Sequence, residues 1–116
     1  MRIVEGQPPN CRGYALHQLG LLDKEAFIDE SPLDQYPLIE ASKEEATAIG
    51  VLAFDSQGVL GLRHLMVIDT ENKNYVWHRP STGQDPVREG LWTALNLYDE
   101  GISRMDSLVY LKPING

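Results

Sequence analysis

The chain has 116 residues, 42% of them hydrophobic, which suits one compact domain over residues 1–116 and leaves no room for a second. With 17 acidic and 10 basic residues the net charge is −7, and Lys and Arg form no cluster, so we expect neither a nucleic-acid partner nor binding to an anionic membrane. No apolar run approaches the ~20 residues of a membrane span, and the N-terminus lacks the apolar stretch of a signal peptide, which predicts a cytoplasmic location by default.

The first predicted element is a helix that begins at the single cysteine of the chain. Residues 5–9 are rich in Gly and Pro and end any earlier element. Asn10 follows at a position that suits a helix N-cap. Apolar residues then recur with helical spacing, which predicts a helix from Cys11 to Leu22.

The next part of the chain gives weaker local signals. Residues 23–41 contain prolines and are predicted to be irregular or to form short helical turns. Ser42 and Glu45 have the spacing of a capping box, and Gly50 suits a helix end. We therefore expect a short helix that begins near Ser42.

After Gly50 the hydrophobic pattern changes from helical spacing to the short apolar runs of strands. The predicted strands are Val51 to Phe54, Leu65 to Ile68 and Tyr75 to His78, with turns at 55–58 and 71–74 and a loop at 80–83. Further along, Leu91, Leu95 and Tyr98 mark a second helix that Gly101 ends, and Leu108 to Leu111 is a final strand. One helix packed on a small antiparallel sheet places the predicted fold in the α+β class.

Cys11 is the first candidate for chemistry. A cysteine attacks as its thiolate, and the unpaired N–H groups and dipole of a helix N-terminus stabilise that anion. Burial would oppose this effect and raise the pKa. The alternative interpretation is that Cys11 is a small buried hydrophobic residue, which is common for a free cysteine.

His64 and His78 favour the catalytic interpretation. They lie near the ends of two strands of one predicted hairpin, so their side chains can be close in space. Histidine can take the proton of a thiol, and such a base needs a third group to fix its tautomer and orientation. We therefore predict Cys11 as nucleophile, His64 as base and His78 as the residue that orients it. Each histidine alone has a structural alternative as a strand-end residue, and His17 is predicted to point away from Cys11.

A zinc site uses the same three residues in a different way. Cys11, His64 and His78 together would supply three protein ligands. Their spacings match no compact zinc motif, so the prediction includes neither a metal nor another cofactor.

Three segments resemble the motifs of NlpC/P60 cysteine peptidases, in the order of that family. The segment Asn10–Ala15 resembles its Cys motif, and the stretch from Gly50 to Phe54 resembles the strand ahead of its catalytic His. His64 with the strand after it, and His78 at the end of the next strand, resemble its second motif. The resemblance extends from about Gly6 to Leu111.

The resemblance implies a papain-like core, in which a Cys-bearing helix packs on a five- or six-stranded antiparallel sheet, and hydrolysis of amide bonds in peptidoglycan stem peptides. A small peptide or a peptidoglycan fragment is then the expected partner. The family usually has Asp before the Cys and Ser after it, where this chain has Asn10 and Arg12. These differences leave the substrate open.

Candidate substrate contacts are Arg12, Trp77 and Ser81. Each has a plainer interpretation: a solvated residue at a helix start for Arg12, and a surface turn for Ser81. The aromatic side chains of Trp77, Trp92 and Tyr75 are predicted to belong to the core. An alternative function for the whole chain is a non-catalytic binding or toxin-related module on the same fold.

Overall fold

The computed structural model describes residues 1–97 and 108–115, which form a mixed α and β fold built around an antiparallel sheet. The elements in chain order are β1 (Ile3–Val4), α1 (Cys11–Gln18), β2 (Phe27–Ile28), a 3-10 turn (Leu33–Gln35), β3 (Leu38–Glu40), β4 (Ala48–Phe54), β5 (Leu60–Ile68), β6 (Tyr75–His78), β7 (Val87–Gly90), α2 (Leu91–Leu97) and β8 (Leu108–Pro113). Six strands form one sheet in the order β3-β8-β4-β5-β6-β7, and β1 pairs with β2 in a separate ribbon.

Neighbouring strands of the six-stranded sheet are antiparallel throughout. The pairing of β4 with β5 contains a β-bulge, because Val51 pairs with His64 and Leu52 pairs with Leu62. Arg63 is the extra residue on β5. Bulges of this kind redirect side chains and often lie beside functional sites. Here the bulge immediately precedes the first candidate histidine.

Hydrophobic side chains cover both faces of the sheet. On one face α1 contributes Ala15 and Leu16 to a cluster that includes Leu65, and on the other face α2 packs its own residues against Met66. Successive side chains of a strand point to opposite faces, so one strand, β5, serves both clusters. The sheet is therefore the central layer between the two helices.

The predicted first helix is confirmed at its start and is shorter than expected at its end. Asn10 is the N-cap, and α1 ends at Gln18 instead of reaching Leu22. The reason is a C-terminal cap in which Gly20 has φ +79° and the N–H of Leu21 donates to the carbonyl of Leu16 at 2.9 Å. A left-handed glycine followed by this bond is a Schellman motif, which ends a helix.

The expectation for residues 23–50 is wrong in two places. The stretch 23–41 contains β2 and β3 in addition to a 3-10 turn. Ser42 does accept a hydrogen bond from the N–H of Glu45 at 3.2 Å, but the segment forms only a turn. Strand β4 already begins at Ala48, since pairing with β5 and β8 outweighs the local helical signal.

The later strands are longer than predicted. β5 begins at Leu60, so His64 lies inside the strand and not at its outer end, whereas β6 has the predicted bounds. β7, a short strand that ends at Gly90, was not predicted because its sequence has little hydrophobic alternation. The second helix is present as α2, and its predicted residues Tyr98 and Gly101 lie outside the described residues.

The predicted core position of three aromatic residues is wrong. Trp77 is 38% exposed, and Tyr75 and Trp92 are exposed as well. Tyr75 and Trp77 occupy alternate positions of β6, while Val76 and His78, at the other two positions, are buried. Among the described residues, no helix is long and apolar enough to span a membrane.

Candidate active site

The start of α1 is fixed by Asn10. Its side-chain oxygen accepts hydrogen bonds from the N–H of Gly13 at 3.0 Å and of Ile28 at 3.2 Å, and its amide nitrogen donates to the Ile28 carbonyl at 2.8 Å. The cap therefore holds the helix start against β2 as well as satisfying a free helix N–H. Cys11 is the next residue and occupies the first helical position.

Gly13 allows α1 to approach the neighbouring chain closely. A Cβ atom at this position would lie 1.6 Å from the carbonyl oxygen of Ala26, which is a severe clash with backbone. Any side chain at residue 13 would push the helix start away. The glycine of the Cys motif is therefore required by packing.

The Cys11 thiol is buried and lies against the backbone of β5. It donates a hydrogen bond to the Arg63 carbonyl, with Sγ and O 3.7 Å apart. Burial raises the pKa of the Cys11 thiol, while the positive charge of Arg12 and the backbone amides of Leu65, Arg12 and Cys11 act to lower it. Of the two opposing effects expected from the sequence, burial is therefore the larger in this structure.

Arg12 is buried, so the interpretation as a solvated residue is wrong. Its Nε donates to the Ile28 carbonyl at 3.0 Å, and its Nη1 donates to the Arg63 carbonyl at 2.5 Å. The same Nη1 is 3.8 Å from the Cys11 Sγ. The guanidinium thus lies beside the candidate nucleophile, and its predicted contact with substrate stays a prediction.

A line of three side chains crosses strands β5, β6 and β7. The His64 Nε2 lies 2.9 Å from the His78 Nδ1, and the His78 Nε2 lies 2.7 Å from a carboxylate oxygen of Glu89. Both imidazoles are completely buried, and their ring planes cross at 77°. His78 therefore faces His64 and not solvent, as the hairpin predicted.

The Glu89 carboxylate gives this line a direction. A carboxylate only accepts hydrogen bonds, so the Nε2 of His78 donates to it, and in a neutral ring the Nδ1 of His78 then accepts from the Nε2–H of His64. Neutral His64 consequently carries its lone pair on Nδ1. Burial holds the pKa of His64 well below its usual value, and repulsion of a protonated His64 by a protonated His78 and by Arg12 lowers it further, so this ring is neutral at pH 7.

Sequence reasoning did not find Glu89. The residue lies in β7, which was not predicted, and pairs with Val76 of β6. Side chains of paired residues share a face of the sheet, and His78 lies two positions from Val76 on that face. His78 was predicted as the residue that orients the base. Its carboxylate partner, Glu89, could be recognised only from the pairing of β7 with β6.

The thiol and the histidine line both reach β5, the thiol at the Arg63 carbonyl and the line at His64. Pairing of β6 with β5 involves Val67 and Ile68, while Cys11 approaches β5 at Arg63 and Leu65, on either side of His64. A direct contact between the Cys11 sulfur and the His64 ring stays a prediction. Among residues 1–97 and 108–115, no three His, Cys, Asp or Glu side chains are placed to hold a metal ion.

The other two candidate substrate contacts are Trp77 and Ser81. The Trp77 indole donates to the Asp69 carboxylate at 3.0 Å and borders a groove of about 360 Å³ that also touches Tyr14, one turn after Cys11. By strand alternation Trp77 is on the sheet face opposite His78. Ser81 is exposed, in a loop whose Gly83 N–H donates to the Pro9 carbonyl at 3.3 Å.

The loop that carries Ser81 therefore borders the segment that leads into α1, and Trp77 borders the side of the same helix. Substrate contacts by either residue stay predictions.

Comparison of the chain with protein-family models, with curated proteins and with solved structures finds no match.

Proposed function

We propose that the protein is a cysteine hydrolase that cleaves amide bonds, with Cys11 as nucleophile, His64 as base and His78 as the residue that positions the base. The observation that carries the proposal is the directed line from Glu89 through His78 to His64, which leads to the strand that the Cys11 thiol contacts. A buried line of two imidazoles and a carboxylate fixes the tautomer of its terminal base, which is what a nucleophilic cysteine requires.

The reaction begins when the Cys11 proton passes to the Nδ1 of His64 and the sulfur attacks the amide carbonyl. The amides at the start of α1 lie close to the sulfur, and the Cys11 N–H helps to hold the oxyanion. His64 returns the proton to the leaving nitrogen as the C–N bond breaks. Water, deprotonated by His64, then hydrolyses the thioester, which restores the thiol and releases a carboxylic acid.

In this proposal Cys11 and His64 are both neutral at rest. Burial opposes charge on Cys11 and on His64 alike, so the thiol holds its proton until substrate arrives. This differs from sites that store a thiolate–imidazolium pair. Proton transfer coupled to attack is general base catalysis, which suits a base whose tautomer is already fixed.

The substrate class follows from two features: the resemblance of the sequence to NlpC/P60 peptidases, and the packing of the Cys-bearing helix α1 on an antiparallel sheet. Both support amide bonds of peptidoglycan stem peptides as substrates. The loop that carries Ser81 and the groove beside Trp77 are surfaces where such a peptide would contact the chain.

The test is to incubate the protein with stem peptides and with digested peptidoglycan and to follow new amine and carboxylate ends by mass spectrometry. Cleavage that is lost in Cys11→Ser, with folding retained, supports the proposal. Cleavage that persists in Cys11→Ser assigns the activity to another group and contradicts it.

A second candidate, a non-catalytic binding module, is favoured by the burial of the thiol, which is 8% exposed. Iodoacetamide labelling of Cys11 as a function of pH separates the two. An enzyme thiol that solvent reaches during opening alkylates at neutral pH, whereas a structural thiol stays unlabelled in the folded protein.

A further inference from the structure

Arg12 differs from Arg79 and Arg88 in its partners. Arg79 pairs with Glu25 at 2.5 Å and Arg88 pairs with Asp69 at 3.0 Å. Arg12 makes no ion pair among the described residues, and its guanidinium contacts two backbone carbonyls and the Cys11 sulfur.

A buried cation without an anion is costly, because backbone carbonyls replace only part of the hydration that the charge loses. The cost falls when an anion forms beside the cation. The Cys11 sulfur lies 3.8 Å from the Arg12 Nη1 and is a group that becomes an anion during the proposed reaction. The site therefore holds a cation in place before its anion exists.

We propose that Arg12 is the counter-ion of the Cys11 thiolate, in the role that a protonated histidine has in a thiolate–imidazolium pair. The proposal takes from the proposed function only that Cys11 reacts as a thiolate. Arg12 is a catalytic residue in this scheme, since it touches the reacting sulfur.

The other titratable groups around the thiol agree with this assignment. His64 on β5 is held neutral by burial, and repulsion from a protonated His78 and from Arg12 further lowers its pKa. Tyr36 also lies within reach of the Arg12 charge, and burial raises the pKa of its hydroxyl. Arg12 thus favours a negative charge on Cys11 and disfavours a positive charge on His64. Its charge therefore favours the charged form of the nucleophile and the neutral form of the base.

The test measures the ionisation of Cys11 through its alkylation, in which the thiolate forms an S–C bond with iodoacetamide as the C–I bond breaks and iodide leaves. Rates are recorded from pH 5 to pH 10 for the wild type, Arg12→Gln and Arg12→Lys. Arg63→Gln is the matched control, because its side chain is exposed and its backbone carbonyl is retained.

An opposite charge at this distance shifts a pKa by roughly one to three units. We expect Arg12→Gln to move the midpoint of the profile upward by at least one pH unit and to slow labelling at pH 7 about tenfold or more. Arg12→Lys restores most of the rate, and Arg63→Gln leaves the profile unchanged. A folded Arg12→Gln protein with the wild-type profile overturns the proposal.

His64→Ala tests the proposal if the Arg12 variants fail to fold. We expect its midpoint to match that of the wild type, because the counter-ion is still present. An upward shift of one unit or more in His64→Ala assigns the counter-ion to His64 and rejects Arg12. Labelling does not depend on turnover, so an Arg12 effect in a protein that cleaves no peptide would reject the proposed hydrolase function alone.

Discussion

The thiol end and the histidine line are both buried, but they are buried among different groups. The thiol end consists of Cys11 and Arg12 at the start of α1, with a permanent cation and several backbone N–H donors around the sulfur. The histidine line consists of His64, His78 and Glu89, and ends at an acceptor. Burial alone favours the neutral form of every ionisable group in both regions.

The comparison shows that burial makes the charged form of a group unfavourable in both regions. The neighbouring groups then decide on which atom charge develops. At the thiol end, donors and a cation offset part of the cost of an anion. In the histidine line, burial disfavours a second proton on His64, and repulsion from a protonated His78 adds to this effect. The neighbouring groups thus reduce the cost of negative charge on the sulfur and increase the cost of positive charge on the base.

The largest effect is expected from removing the base. His64→Ala should lower kcat for amide hydrolysis by roughly 10²- to 10⁴-fold, which is the usual contribution of general acid–base catalysis. Steady-state kinetics on a cleaved stem peptide measure it. Unchanged kcat in a folded His64→Ala protein would falsify the assignment of His64 as the base. His17→Ala is the matched control, because His17 lies near the other end of α1, where its ring is hydrogen-bonded to the Leu22 carbonyl.

A second experiment separates chemistry from packing at the thiol end. Leu16 is fully buried one turn beyond this end, so Leu16→Ala should cost roughly 2–5 kcal/mol of unfolding free energy. Cys11→Ser should cost about 1 kcal/mol or less, because the new hydroxyl still donates to the Arg63 carbonyl. Urea unfolding measures both. Equal losses would mean that Cys11 serves only as core.

Replacing the acceptor of the histidine line should have a smaller effect. Glu89→Leu removes the carboxylate that orients His78, so the tautomer of His64 is no longer fixed, and we expect kcat to fall about tenfold with KM unchanged. Glu89→Gln, whose amide oxygen accepts the same bond, should retain most of the activity. If Glu89→Leu and the wild type have the same pH–rate profile, the carboxylate does not position the base.

The smallest expected effect is on stability in mild acid. The unfolded chain binds a proton at His64 near the usual pKa of 6.5, whereas the folded chain takes it up only at a much lower pH. The unfolding free energy should therefore fall as the pH drops below about 6.5, and it should level off below the pKa of the folded state. Urea midpoints at pH 7 and pH 5 measure this loss, and His64→Leu should reduce it. An identical loss in His64→Leu would place the acid-sensitive group elsewhere.

The sequence by itself determined the start of α1, the β5–β6 hairpin and the position of His78 at the end of β6. These features depend on signals within a few residues, namely the cap at Asn10, helical and strand spacing, and turn residues. It also indicated that His78 would face His64, because adjacent strands of a hairpin pair in a predictable way.

Only the tertiary structure decided the balance of charges in the site. The bulge at Arg63, the burial of Arg12 and the contact of Glu89 with His78 each depend on pairing or packing between segments far apart in the chain. A local pattern cannot report how deeply a helix start is buried, so it left open whether the helix start or burial decides the pKa of Cys11, which burial raises. Desolvation is a property of everything packed around a group, and the assembled fold determines it.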